Sequence, residues 1–197
     1  MRNKIDVVKK QLSESIETKK SFTPKNIETI AKISDAIVNA YKKGKKVIWF
    51  GNGGSAADAQ HLAGELVSKF YIERRGLASI ALNTNTTILT AIANDYDFQN
   101  IFSRQIEALA NDGDVVVGIS TSGTSKNVVA GIKEAKKKNA VTVGFTGESG
   151  GKLKGLVDFL VNVPSNDTPR IQESHITIGH IICYLVEREL FGSERDG

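Results

Sequence analysis

Ile5, Val8, Leu12 and Ile16 recur every three to four residues in an otherwise polar stretch spanning positions 3–20. That spacing predicts an amphipathic helix. Ile27, Ile30, Ile33, Ile37 and Val38 repeat the pattern after Thr23-Pro24. Thr23 is placed to cap this second helix, Pro24 to begin it and Gly44 to end it. From Lys46 onward the pattern changes. Short apolar, partly β-branched runs at 47–50, 78–82, 114–119, 141–145 and 158–163 alternate with helix-period segments at 55–70, 86–93, 98–110, 125–138 and 169–190. The alternation predicts an α/β class protein with a doubly wound parallel sheet. Ligands of such sheets sit at the carboxyl ends of the strands. A small sheet does not need both N-terminal helices to cover it, so packing against a partner subunit is expected, with Ile27, Ile30, Ile33 and Ile37 placed between subunits or onto the core. No repeat, low-complexity tract or linker interrupts the chain. Residues 1–197 are read as a single domain, with N-terminal helices over 1–44 and the sheet core over 45–197.

The 197 residues suffice for one full hydrophobic core. The 26 basic and 22 acidic residues leave a net charge of +4. That mild excess helps attract anions and falls short of a nucleic-acid footprint. The lysines at 42–46 and 136–138 close predicted helices, where they complement the helix dipole. One cysteine, Cys183, rules out a disulfide within the chain and fits a reducing compartment. No apolar run approaches the ~20 residues of a membrane span, and no signal-like apolar core opens the sequence. A cytoplasmic location is expected, without membrane or nucleic-acid partners.

The candidate chemistry gathers at loops that follow predicted strands. Gly51-Asn52-Gly53-Gly54-Ser55 lies between a strand and a helix start. A glycine-rich turn there aims backbone N–H groups and the positive end of a helix dipole at one spot, which suits phosphate. The same helix carries His61 and Glu65 at i, i+4, so both project from one face as an acid/base or metal pair. A second loop, Ser120-Thr121-Ser122-Gly123-Thr124-Ser125, sets five hydroxyls around one glycine ahead of another helix. Hydroxyls and N–H groups together can bind phosphate oxygens without a metal. Neither a Walker motif nor a Gly-x-Gly-x-x-Gly fingerprint is present. Asn94-Asp95 reads, on its own, as a helix end. The last helix carries Arg170, Gln172, Glu173, His175 and His180, and spacing does not choose between the two histidines. Gln172 and His180 stand about 12 Å apart along the helix axis.

Taken together, Gly51-Asn52-Gly53-Gly54-Ser55, Ala56-Ala57-Asp58-Ala59-Gln60-His61 with Glu65, Asn94-Asp95, the hydroxyl loop and Arg170-Ile171-Gln172-Glu173 followed by His180 resemble the sugar isomerase (SIS) domain family. The resemblance covers nearly the whole chain. It implies a flavodoxin-like sheet with extra N-terminal helices and a homotetramer. The implied activity is conversion of sedoheptulose 7-phosphate into D-glycero-D-manno-heptose 7-phosphate through an enediol, at the start of nucleotide-heptose formation. It implies Glu65 and His180 as catalytic base and acid. It also implies a zinc ion held by His61, Glu65, Gln172 and His180. Sugar-phosphate contacts are implied for Asn52, Gly53, Gly54, Ser55, Glu65, Asn94, Asp95, Ser120, Thr121, Ser122, Ser125 and Gln172. Pro169 departs from those members that carry an acid at its position. The family also admits an isomerase of another sugar phosphate, and a non-catalytic relative that binds a replication initiator; that relative is expected to lack the acid at the position of Glu65.

Overall fold

The computed structural model describes residues 3–192. The remaining positions of the 1–197 domain expectation, 1–2 and 193–197, lie outside the described residues. Two helices come first, α1 (Lys4–Lys20) and α2 (Pro24–Lys42). They are followed by β1 (Val47–Gly51), α3 (Gly54–Val67), β2 (Ser79–Ala81), α4 (Thr86–Asp95), α5 (Ser103–Leu109), β3 (Val115–Ile119), α6 (Lys126–Lys137), β4 (Val141–Thr146), β5 (Phe159–Asn162) and α7 (Thr168–Phe191). The five strands form one parallel sheet in the order β2-β1-β3-β4-β5. This is the flavodoxin-like order, in which the chain reverses direction across the sheet between β1 and β3.

Side chains alternate across each strand. Val47, Trp49, Val115, Val117 and Ile119 join α2, α3 and α7 in one core layer. Ile48, Phe50 and Val116 join α4, α5 and α6 in the other. The sheet is therefore buried on both faces, and its strands read as continuous apolar runs. At the amino end of β1 and β3, Lys46 Nζ meets Asp114 Oδ2 at 2.6 Å, and the Lys46 backbone N–H donates to Asp114 Oδ1 at 3.0 Å. This ion pair ties two strands at the end opposite the loops that carry chemistry.

Two expectations are refined. α2 is needed to cover the sheet, because Ile30, Ile33, Ile37 and Val38 lie in the core. Only α1 is surplus: none of its residues is buried, and Ile5, Val8, Leu12 and Ile16 are 53–61 % exposed. α1 is tethered through its polar side. Arg170 Nη1 donates to the carbonyl of Gln11 at 2.5 Å, and Lys19 Nζ faces Glu173 Oε1 at 3.7 Å. The helix expected over 98–110 is broken into a 3₁₀ turn, Phe98–Asn100, and α5. The Asp97 carboxylate accepts from the Gln99 N–H at 2.6 Å, and the break lets Ile101 and Phe102 enter the core.

Candidate functional site

Gly51 of β1 and Ile119 of β3 are register partners, so the loops that follow them emerge side by side at the carboxyl edge of the sheet. The β1 loop turns at Gly53 (φ 56°) and enters α3; the β3 loop enters α6. Gly53, the N-cap of α3, has no side chain to cap it, and the Ser125 side chain accepts no hydrogen bond from the first turn of α6. The Ser125 hydroxyl accepts from that of Ser120 instead, at 3.0 Å, and Ser120 Oγ lies 3.5 Å from Ser122 Oγ. Ser55 and Ser120 are buried beneath the loops. Two helix starts and a cluster of hydroxyls thus converge at the reversal point of the sheet, where an anion is favoured. The Asn52 and Asn127 side chains bond each other reciprocally at 2.8 and 2.9 Å and brace one loop against the other.

Gln172, in the first turns of α7, closes one side of this cradle. A methyl group on Gly54 would sit 2.4 Å from Gln172 Nε2, so the glycine is what permits the amide to approach.

Further along α3, His61 Nε2 lies 2.9 Å from Glu65 Oε1 and 3.1 Å from His180 Nε2. One ligand atom from each of the three residues falls within 4.8 Å of the others. The contact depends on close approach of α3 and α7. A methyl group on Gly179 would sit 2.4 Å from the Leu62 side chain, so a glycine directly before His180 brings the helices together. Phe70 flanks the group, its ring centroid 5.7 Å from that of His180. The His61 and Glu65 side chains are 49 % and 25 % exposed, so the group is open to small solutes.

The description "SIS domain" fits residues 11–147 of this chain. The chain belongs to the SIS domain family. It is 51 % identical over 198 residues to the phosphoheptose isomerase of Clostridium acetobutylicum, covering 100 % of both chains. It superposes on a phosphoheptose isomerase from Neisseria gonorrhoeae with a TM-score of 0.89 and 39 % identity, over 94 % of this chain and 99 % of that one. A phosphoheptose isomerase from Francisella tularensis gives the same TM-score of 0.89 at 33 % identity, with the same coverage of 94 % and 99 %.

Within this SIS domain the residues singled out in the sequence fall into three groups. Asn52, Gly53, Gly54, Ser55, Ser120, Thr121, Ser122, Ser125 and Gln172 belong to the cradle. His61, Glu65 and His180 form the second cluster. The Gln172 amide lies against Gly54, at the start of α3 and about two helical turns ahead of His61. Asn94 and Asp95 are the exposed last residues of α4, where Asn94 Nδ2 donates to Asp95 Oδ1 at 2.9 Å. His175, the histidine that spacing could not separate from His180, is fully buried, with Nε2 3.1 Å from the Thr146 carbonyl.

Asp58, part of the run that carries the family resemblance, was given no role of its own from the sequence. It lies one turn before His61 on α3, and its buried Oδ2 has no hydrogen-bond partner. Burial pushes its carboxyl up to about 6, against the pull of His61. The signal available in the sequence was an acid inside the run Ala56-Ala57-Asp58-Ala59, too weak alone to distinguish from a surface acid.

Proposed function

We propose that this chain is an aldose–ketose isomerase converting sedoheptulose 7-phosphate to D-glycero-D-manno-heptose 7-phosphate through an enediol. The observation that carries the reading is that α3 begins at a loop lined by glycines and hydroxyls and, further along, presents His61 and Glu65 to His180 of α7. Ser55 and His61 are about 9 Å apart along the α3 axis. A substrate with a phosphate at one end and a carbonyl at the other fits that span. Full-length identity to named phosphoheptose isomerases supports the choice of sugar.

The Ser55, Ser120, Ser122 and Ser125 hydroxyls, with the first-turn N–H groups of α3 and α6, hold the phosphate. Gln172 lies where the cradle opens and bonds the sugar, with Asn94 and Asp95 as contacts to its hydroxyls. Glu65 takes the proton from the carbon next to the carbonyl and returns it to the neighbouring carbon. His180 gives a proton to the carbonyl oxygen and recovers one from the adjacent hydroxyl. His61 holds the Glu65 carboxylate through one oxygen. A carboxylate has two, so the other remains for the proton transfer.

The same three residues suit zinc. Two imidazole nitrogens and a carboxylate oxygen, with a position left for substrate, are the ligand types of a catalytic zinc site. Bound there, zinc would polarise the sugar oxygens as a Lewis acid. Gln172 is the remaining ligand candidate, and it is better placed to serve the cradle.

The chain works as one SIS domain in a homotetramer. The unmatched apolar stripe of α1 supports assembly, as do Tyr71 and Tyr184, which are 75 % and 40 % exposed beside the cluster. The buried, unpaired Cys183 suits the cytoplasm. Among the described residues, no helix is long and apolar enough to cross a membrane. The deciding experiment offers sedoheptulose 7-phosphate and fructose 6-phosphate in parallel, with mass and chromatographic detection of the aldose. Product from the heptulose is expected. Product from fructose 6-phosphate alone would move the assignment to another sugar, and no product from either would remove the isomerase reading.

A further inference from the structure

After α3 the chain runs through residues 68–78 to β2, and one buried ion pair governs that passage. The Arg74 and Glu187 side chains are each 1 % exposed, with Nε and Oε1 2.9 Å apart. Burying two charges is costly unless the remaining protons and lone pairs are also used. Here they are used on the chain around the cluster. Arg74 Nη2 donates to the backbone carbonyl of Glu65 at 3.0 Å, and Nη1 to those of Leu66 and Ser68 at 2.9 and 2.8 Å. Carbonyls at a helix end lack helical partners, and a cation among them also suits the dipole. On the other side, the Glu187 carboxylate accepts from the N–H groups of Phe70, Tyr71 and Ile72 at 2.9, 2.6 and 2.9 Å. Burial alone would raise its pKa. The three N–H groups and Arg74 outweigh that and hold it below the ordinary carboxylate range.

The pair joins the two helices that carry the reacting groups. Arg74 grips the end of α3 at Glu65 itself. Glu187 stands on α7 seven residues after His180, two turns along the same face. The N–H that Glu187 takes from Phe70 also fixes the residue whose ring lies against His180.

We propose that Arg74 and Glu187 are positioning residues that set Glu65 and His180 at their working separation. The proposal rests on the isomerase reading above. A displacement of about 1 Å at a reacting group can cost about 100-fold in rate. Arg74→Lys keeps the cation and loses the planar fork that reaches five acceptors. Glu187→Gln keeps the shape and turns one accepting oxygen into a donor facing backbone N–H groups. Each variant is expected to lower kcat by about 10- to 100-fold. KM and the affinity for inorganic phosphate should stay within about twofold, because the cradle sits at the other end of α3.

The control is Lys46→Met, which breaks the buried pair at the far end of the sheet. All proteins are compared at temperatures where each is fully folded, and the ring signals of His61 and His180 are followed by NMR across pH. Reduced kcat with altered ring signals in Arg74→Lys, and neither change in Lys46→Met, supports the positioning role. Wild-type kcat and unaltered ring signals in folded Arg74→Lys would overturn it. So would an equal loss of kcat in Lys46→Met, which would make the effect one of general stability. If Glu187→Gln does not fold, Arg74→Lys carries the test. An inactive wild type would count against the isomerase reading alone, and the ring signals would then decide the positioning role.

Discussion

The two histidines of α7 are expected to separate stability from catalysis. His175 is fully buried, and burial pushes its pKa from 6.5 down to about 4, against a hydrogen bond to the Thr146 carbonyl. Its Nδ1 has no partner, so a proton arriving there is neither solvated nor paired. The unfolded imidazole takes a proton near pH 6.5 and the folded one near pH 4. Between those values the unfolded state binds more protons, so stability rises with pH. The contribution is fully present above pH 6.5 and is lost as the pH falls to about 4. That gap, at about 1.4 kcal/mol per pH unit, amounts to about 3 kcal/mol. His175→Gln does not titrate, and its amide can still donate to Thr146. It should flatten this part of the pH dependence and leave turnover within a few-fold of wild type. His180→Gln should do the reverse: unfolding curves close to wild type, and kcat lower by about 10²- to 10⁴-fold, the usual contribution of a general acid. Asp58 titrates in an overlapping window with the opposite sign. Its carboxyl is raised from 3.8 to about 6 by burial, so its contribution falls as pH rises. The difference between His175→Gln and wild type, rather than the wild-type slope, therefore carries the result. Urea unfolding followed by circular dichroism from pH 7 to 4.5, with turnover at pH 7, measures both. Parallel pH slopes in the two proteins would refute the burial argument. A larger kcat loss in His175→Gln than in His180→Gln would put the chemistry on the other histidine.

Glu65→Gln should keep the fold and the affinity for inorganic phosphate and lose at least about 10²-fold in kcat, since an amide cannot take the proton; near wild-type turnover would remove Glu65 as the base. Alanine at Ser55, Ser122 and Ser125 together should weaken binding of sugar phosphate and inorganic phosphate alike, measured by calorimetry, and unchanged phosphate binding would show the anion sits elsewhere. Chelation should lower turnover and zinc restore it, with metal affinity falling on acidification because imidazole and carboxylate must shed protons to ligate; full activity in a chelated, metal-free preparation would leave Glu65 and His180 as the whole apparatus.

Most of the fold is legible because local pattern and tertiary demand agree. A buried parallel strand has to be apolar on both faces, so 47–50 and 114–119 announce themselves. The break at Phe98–Asn100 was hidden because it is marked by a single hydrogen bond from the Gln99 N–H to the Asp97 side chain, not by a change of period. The N-terminal helices show the limit of amphipathicity. α1 and α2 carry similar apolar stripes, yet α2 lies on the sheet and α1 leaves its stripe in solvent. A stripe says that a face wants cover and not what covers it.

The loops of the cradle were visible for a different reason. Glycine and hydroxyl residues after a strand report a backbone requirement, and that requirement is local. The cluster of His61, Glu65 and His180 is not local: His180 lies 119 residues from its partner on α3. What brings it there is Gly179 against Leu62, a packing relation that no spacing rule encodes. The same holds for Gln172. Spacing along α7 gave only its distance from His180, whereas the side chain's place is set by Gly54 on another helix. Arg74 and Glu187 were invisible for the same reason, since one looks like a surface base in a polar loop and the other like an exposed acid near a helix end. Only when α3 and α7 are set against each other does their pairing become necessary. Burying either without the other would cost several kcal/mol, and the backbone groups they satisfy belong to the residues that carry and flank the reacting side chains.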